Sequence, residues 1–247
     1  MKTFFAVFIL IYFYVYNGNA SMFLLSTPKI SADKKIISVT PVLPNKYFTD
    51  FVLWYTTQDF QPPWFQLPPK FIPYVVGRGK TWYSWDQGKC LELYLDFCVP
   101  IFYPNSFFPC VMFNYNSTAY LMSNKKYRYG GCCIYKQPWS PPHRDFMSNF
   151  AKYYEGNNMA YNLSIDWWKI PNFENGNQSL FGGYGWSTKL SNGTYRKPLV
   201  FWYEGDVGWA QQMFHNFTTD GPEIEWIEKT FKFPVECYKA LPCKYKP

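Results

Sequence analysis

The sequence predicts a mainly β protein, a meandering antiparallel sheet that curls into a trough. Three observations carry this. "YNLSIDW" (161–167) puts Asn162, Ser164 and Asp166 on one side and Tyr161, Leu163, Ile165 and Trp167 on the other. That alternation is the period of a strand with one buried face. Asn192-Gly193, inside "YGWSTKLSNGTYRKPLVFWYEG", is the strongest two-residue hairpin signal, because a type I′ turn needs positive φ at both central positions. Helical periodicity never runs beyond two turns. Only "SNFAKYYEG" (148–156) and "PEIEWIEKTF" (222–231) read as short helices.

Residues 1–20 read as a cleaved signal peptide. Lys2 is the basic start, Phe4 to Tyr16 is an apolar run too short to span a bilayer, and Gly18 and Ala20 are the small residues before a cut at Ser21. No other stretch is apolar enough to cross a membrane. Residues 21–59 form an N-terminal extension of short apolar runs and prolines, able to add a strand or to lie over the core as an arm. The proline-dense "QPPWFQLPPKFIPYVV" that follows reads as a linker or edge cover. Residues 60–247 are then a single antiparallel β domain.

Within it, "CVMFNYNSTAYLM" folds into two strands about Asn116-Ser117, and Glu204 to Gly208 turns the chain into "WAQQMFHNFTT". "GGYG" (182–185) reads as a bulge or turn. Five Asn-X-Ser/Thr sequons, at Asn116, Asn162, Asn177, Asn192 and Asn216, predict an N-glycoprotein. A glycan must face solvent, so Asn216 turns Gln212 and Phe214 outward with it. Met213, His215 and Phe217 then point inward. The neighbouring strand adds either Phe201 and Tyr203 or Val200 and Trp202 to that face.

The chain carries 24 Phe, 22 Tyr and 11 Trp, more than a core of this size readily uses. Some of these rings are expected to line a ligand cavity or a contact surface. The candidate ligand-binding residues are Trp82, Trp85, Trp167, Trp202, Met213, His215 and Phe217. The net charge of +7 is dispersed, without the clustered patch that nucleic acid would require.

Catalytic signatures are missing. There is no Gly-X-Ser-X-Gly elbow, His-Glu-X-X-His, P-loop or dinucleotide fingerprint, so no catalytic residue is assigned and the expectation is a non-enzyme. His143 reads as a surface residue. Asp86, Asp166, Glu204 and Asp206 could pair as glycosidase carboxylates only if the fold brought two of them together. The seven cysteines, Cys90, Cys98, Cys110, Cys132, Cys133, Cys237 and Cys243, include no Cys-X-X-Cys. They predict three disulfides and one free thiol in an oxidising compartment, and no metal site.

The order of motifs is suggestive: Pro63-Trp64, "TWYSWDQG" (81–88), the paired cysteines, a Trp-X-Pro-Pro loop (139–142), a strand from Gly156 to Lys169, "KPLVFWYEG" (197–205) and "FPVECY" (233–238). Over roughly residues 60–240 this resembles secreted proteins related to ependymin, and is similar to plant secretory-pathway proteins loosely described as glycosyl-group transferases. The resemblance implies an open half-barrel like the bacterial lipoprotein carriers, with one or two short helices across the concave side. It also implies an extracellular or lysosomal glycoprotein that binds hydrophobic or lipid-like ligands, and calcium as a cofactor on the resemblance alone. A homodimer is an expected assembly.

Cys132 and Cys133 are adjacent on a strand and so face opposite sides of it. The expectation is that each joins a different upstream cysteine among Cys90, Cys98 and Cys110, leaving Cys237 and Cys243 to pair locally. The leading functional reading is a secreted glycoprotein that binds a hydrophobic ligand on the concave face. The alternative is a structural or adhesive glycoprotein without a small ligand, and a glycan-acting enzyme comes last.

Overall fold

The computed structural model describes residues 40–56, 74–98, 108–123, 131–172, 179–191, 195–205 and 208–243. Eleven strands within them form one sheet: β1 (Lys46–Thr56), β2 (Val75–Ser84), β3 (Lys89–Tyr94), β4 (Cys110–Tyr115), β5 (Thr118–Ser123), β6 (Cys132–Lys136), β7 (Tyr154–Ala160), β8 (Leu163–Asn172), β9 (Ser179–Ser191), β10 (Tyr195–Gly205) and β11 (Gly208–Thr218). The spatial order is β6-β5-β4-β3-β2-β1-β11-β10-β9-β8-β7, and every neighbouring pair is antiparallel. One meander runs outward from β1 to β6. A second returns from β7 to β11 and pairs with β1. Edges β6 and β7 do not meet, so the sheet is open.

The turns follow their local chemistry. Asn116 and Ser117 both have positive φ (46° and 55°), the geometry a two-residue hairpin needs between β4 and β5. β9 and β10 form the expected hairpin, but their pairing starts at Tyr195↔Ser191, which leaves three residues between the strands where the type I′ reading of Asn192-Gly193 expected two; residues 192–194 themselves lie outside the described segments. The two short helical stretches fall close to their expected places. A 3₁₀ helix occupies Phe146–Tyr153. An α-turn at Pro222–Glu225 continues as a π-turn over Trp226–Thr230.

β1 lies at the centre of the sheet, between β2 and β11. Its residues fall inside the segment 21–59 assigned as an extension, so the β domain starts earlier than residue 60. The reason is visible in the sequence of β1 itself. Tyr47, Thr49, Phe51 and Leu53 alternate with Phe48, Asp50, Val52 and Trp54, and the first set is buried throughout.

The sheet is curled. One small cavity is walled by Glu92 of β3, Thr81 of β2, Thr49 of β1, Gln212 of β11, Phe201 of β10 and Tyr184 of β9. Six strands laid flat would span about 24 Å. They can share one cavity only by bending around it. The segment that links β6 to β7 crosses this inner face. Trp139, Phe146, Met147 and Phe150 are all buried there, within the same cluster as Tyr83, Tyr94, Leu121, Trp168 and Trp186. Tyr83 Oη donates to Pro142 O at 2.7 Å, and Leu43 and Arg144 exchange two hydrogen bonds of 2.8 Å.

Both faces of the sheet are buried, not one. On the outer face, Leu91 and Phe113 pack with Ile227 and Cys237 from the C-terminal segment. Ile165, Trp167, Val200 and Trp202 form a separate cluster under β8–β10. The second short helix therefore sits on the outer face, where Lys89 Nζ donates to Ile227 O at 3.2 Å and Lys46 pairs with Glu228 at 3.2 Å. "GGYG" is neither turn nor bulge but the middle of β9. A Cβ on Gly183 would stand 2.8 Å from the Trp202 indole, and the bulge lies opposite, on β10 near Pro198.

The disulfides are Cys98–Cys110, Cys132–Cys237 and Cys133–Cys243, with Cys90 free and buried. Cys132 and Cys133 do face opposite sides, the first in the outer cluster and the second in the inner one. The expected pairing to upstream cysteines, and the expected Cys237–Cys243 bond, are both overturned. The C-terminal segment rounds edge strand β6 and is bonded once on each face. Between the two bonds, Ile134 N donates to Leu241 O at 2.8 Å and Cys243 N to Ile134 O at 2.9 Å. The tail thus occupies hydrogen-bonding positions that an edge strand would otherwise expose.

Candidate functional site

The inner-face cavity is the candidate site. Its volume is about 50 Å³, room for about four water molecules. Aromatic rings supply about half of its wall: Tyr47 from β1, Tyr184 and Trp186 from β9, Phe201 from β10, Phe214 from β11 and Phe146 from the crossing segment. Strand alternation delivers these rings. Gln212 and Phe214 face in from β11, and Cys90, Glu92 and Tyr94 face in from β3.

Glu92 is the charged residue in that wall. It is 8% exposed and accepts a hydrogen bond from Tyr94 Oη at 2.7 Å. Burial outweighs that bond and pushes the carboxyl up to about 7. Burial raises the Cys90 thiol well above its usual value, with the Glu92 charge adding to it. Tyr47 and Tyr184 are raised in the same way, burial first, so both stay protonated.

Three polar atoms in the wall find no hydrogen-bond partner among the described residues. They are Thr81 Oγ1, Gln212 Nε2 and Trp186 Nε1, on residues 4%, 2% and 0% exposed. A buried polar atom left unpaired costs about 1–3 kcal/mol, and each of these three is sealed from contact with a water molecule.

The residues proposed from sequence divide between the faces. Phe217 lies on the inner face, stacked on Tyr47 at 5.0 Å between centroids. Trp85 packs at the rim of the same core, 4.5 Å from the His143 ring. Trp82, Trp167, Trp202 and Met213 belong to the outer clusters, and His215 is exposed, not inward. Among the alternatives left open on β10, Phe201 faces in, and Val200 and Trp202 face out. The error on β11 has a physical cause. Asn216 takes φ 53°, and the β1–β11 register shifts between Phe48 and Asp50. This irregularity breaks the alternation, so the exposure of Asn216 says nothing about Phe214 or His215.

Asn116 and Asn162 are exposed in turns, and Asn216 is exposed beside Asp50. Asn177 and Asn192 lie outside the described residues. Of the acids weighed for glycosidase chemistry, Asp166 is buried and spoken for. It pairs with Arg196 and accepts from Tyr154 Oη at 3.0 Å and Asn157 Nδ2 at 3.1 Å. His143 is bonded to Asp145, and its side chain is exposed. Among the described residues no three His, Cys, Asp or Glu side chains gather as metal ligands, and no helix is long and apolar enough to cross a membrane.

Sequence reasoning missed Glu92 and placed Gln212 outward, where the structure turns it into the inner wall. "KCLELYL" offers Cys90, Glu92 and Tyr94 at strand spacing, and that pattern reads equally well as an exposed face.

The fold and site together define an open, all-antiparallel sheet curled around a crossing segment and a small, partly polar cavity. No family model matches the chain, and no curated protein matches it. Among solved structures it is similar to an uncharacterized conserved protein from Thermus thermophilus, with TM-score 0.42 and 8% identity over 80% of this chain and 90% of that one. It is also similar to a putative outer membrane lipoprotein-sorting protein domain from Vibrio parahaemolyticus, with TM-score 0.36 and 7% identity over 75% of this chain and 90% of that one.

Proposed function

We propose that this protein is a secreted N-glycoprotein that carries a hydrophobic or lipid-like ligand between the inner face of its sheet and the crossing segment. The observation that carries the reading is the cavity, where aromatic rings share the wall with a few polar residues, the composition of small-molecule sites. Three disulfides and three exposed sequon asparagines support the secretory route.

Typical ligand clefts measure about 300–1,000 Å³, far above the space present. A long apolar chain therefore enters only if the crossing segment lifts. Native mass spectrometry of secreted material tests this. The expected result is a mass beyond polypeptide and glycan that disappears after organic extraction and returns on adding lipid. A mass that extraction leaves unchanged, together with no lipid uptake, overturns it.

One observation favours a structural or adhesive role instead. The inner face is nearly filled, whereas Val235, Tyr238 and Leu241 stand 68–73% exposed on the tail. Concentration-dependent self-association lost in a Tyr238→Ser, Leu241→Ser variant, with no lipid uptake, would select that role.

A further inference from the structure

We propose that an aromatic strip on the outer face, made of Tyr115, Phe233 and Tyr238, is a built-in seat for the first sugar of the glycan on Asn116. This rests on the secretory glycoprotein part of the proposed function and is independent of the carried ligand.

The strip starts at the β4–β5 hairpin. Tyr115 and Thr118 are the last paired residues of the two strands, and Asn116 and Ser117 form the turn between them, with φ of 46° and 55°. Asn116 is exposed there, and Tyr115 beside it is 43% exposed. The Tyr115 ring lies 4.5 Å from that of Phe233, and Phe233 meets Tyr238 at 5.3 Å. Tyr238 itself is 73% exposed. The strip is held in place from beneath. Phe233 packs edge-on against Tyr120 at 5.1 Å and Phe113 at 6.1 Å, and Cys237, next to Tyr238, is bonded to Cys132 of β6. Rings fixed in this way lose little freedom when something covers them.

The point of attachment decides what covers them. Consecutive Cα atoms stand about 3.8 Å apart, so a sugar on Asn116 Nδ2 begins within reach of the Tyr115 ring. N-acetylglucosamine presents a face of C–H bonds, and the face of an aromatic ring carries the negative part of its quadrupole. The contact is also intramolecular, with the high effective concentration that tethering gives. A second molecule would have to give up its translational freedom to reach the same strip.

The other described sequons lack such a seat. Beside Asn162, Tyr161 packs with the outer cluster of β8–β10, and its hydroxyl accepts from Gln211 Nε2. Beside Asn216, the Phe217 ring is stacked on Tyr47 of the inner face, and His215 offers a polar imidazole.

The experiment uses the full secreted glycoprotein in four forms: wild type, Asn116→Gly, Tyr115→Thr and the double variant. Glycine suits a positive φ, so Asn116→Gly removes the sugar without straining the turn, and the four-way comparison cancels whatever else glycine does. Losing the Asn116 glycan should raise the unfolding equilibrium constant by a factor about threefold or more greater in wild type than in Tyr115→Thr. A second measurement needs no variant. In wild type trimmed enzymatically to one sugar per site, the ring current of Tyr115 should shift the sugar C–H protons upfield in proton NMR at Asn116, and not at Asn162 or Asn216.

An equal increase in both backgrounds, or unshifted sugar protons at Asn116, overturns the inference. A bare Asn116 with glycans on Asn162 or Asn216 overturns it and leaves the secretory reading standing. Bare asparagines throughout overturn both. Self-association or binding to anionic vesicles by the intact glycoprotein, lost in Tyr238→Ser, assigns the strip to another occupant and also overturns it.

Discussion

A carboxyl buried among tyrosines holds its proton more tightly in the folded chain than in the unfolded one. For Glu92 the ordinary value of 4.5 rises to about 7. Between these two values the folded state binds more protons, so stability falls as pH rises. The native protein is therefore expected to lose on the order of 3 kcal/mol from this group between its ordinary value and mildly alkaline pH. Glu92→Gln should abolish that part of the slope and be the more stable form in mild alkali. Denaturant titrations across this range check it; a wild-type curve no steeper than the variant's would place the carboxylate in contact with solvent. A second expectation at this scale concerns close packing. A Cβ on Gly79 would stand 2.1 Å from the Phe51 ring and 2.4 Å from Leu93 O. Gly79→Ala should cost at least about 1–3 kcal/mol in thermal or denaturant unfolding. None of this is legible in "GRGKTWYS", where Gly79 looks like any strand glycine, because the ring that excludes a side chain comes from β1.

At the scale of elements, the sequence is clearest where geometry is local. Asn116-Ser117 and the opposite-facing pair Cys132 and Cys133 are both two-residue facts, and the structure has both. Sequence reasoning fails where a local rule is carried across an irregularity, as on β11, or where partners lie far apart in the chain. Cysteine spacing favours near neighbours, yet the bonds of β6 span 105 and 110 residues. Non-reducing peptide mapping should recover residues 132–133, 237 and 243 in a single linked fragment. A 237–243 bond would contradict the strap. In the chain-entropy account, a loop of about 100 residues contributes about 4–5 kcal/mol, but Cys237→Ser alone should cost much less, because Cys133–Cys243 still closes nearly the same loop. Adding Cys243→Ser should cost more than the first change, because it frees that loop.

Across the whole molecule, the alternation of apolar residues announces a sheet but not that both of its faces are covered. "YNLSIDW" shows why. Asp166 looks like a solvent-facing residue and is buried on the inner face, satisfied by Arg196 from β10. The polar side of a strand reads as solvent unless the partner is known, and here the partner lies 30 residues away. The curl itself depends on the crossing segment, whose Phe146 ring stands edge-on to Tyr184 at 5.4 Å. Phe146→Ala should remove about 3–5 kcal/mol and, on the proposed carrier role, speed ligand exchange, as read by stopped-flow fluorescence with a dodecyl probe. Slower or unchanged exchange in a folded variant would mean that ligands reach the cavity by another route.

The strap also sets a schedule. When Cys132 and Cys133 emerge during synthesis, a stretch of 105 to 110 residues must still be made before Cys237 and Cys243 exist. At about 5–20 residues per second that is an interval on the order of ten seconds. On the proposed secretory route, two adjacent thiols would wait through it in an oxidising lumen, with Cys90, Cys98 and Cys110 already made. Cys90 ends as the free thiol, deep in the core, and is the natural temporary partner to be released. On the proposed secretory route, depleting a disulfide isomerase during pulse–chase is expected to hold the chain in bonds linking residues 90 and 133; unchanged maturation would mean that the bonds form correctly at once.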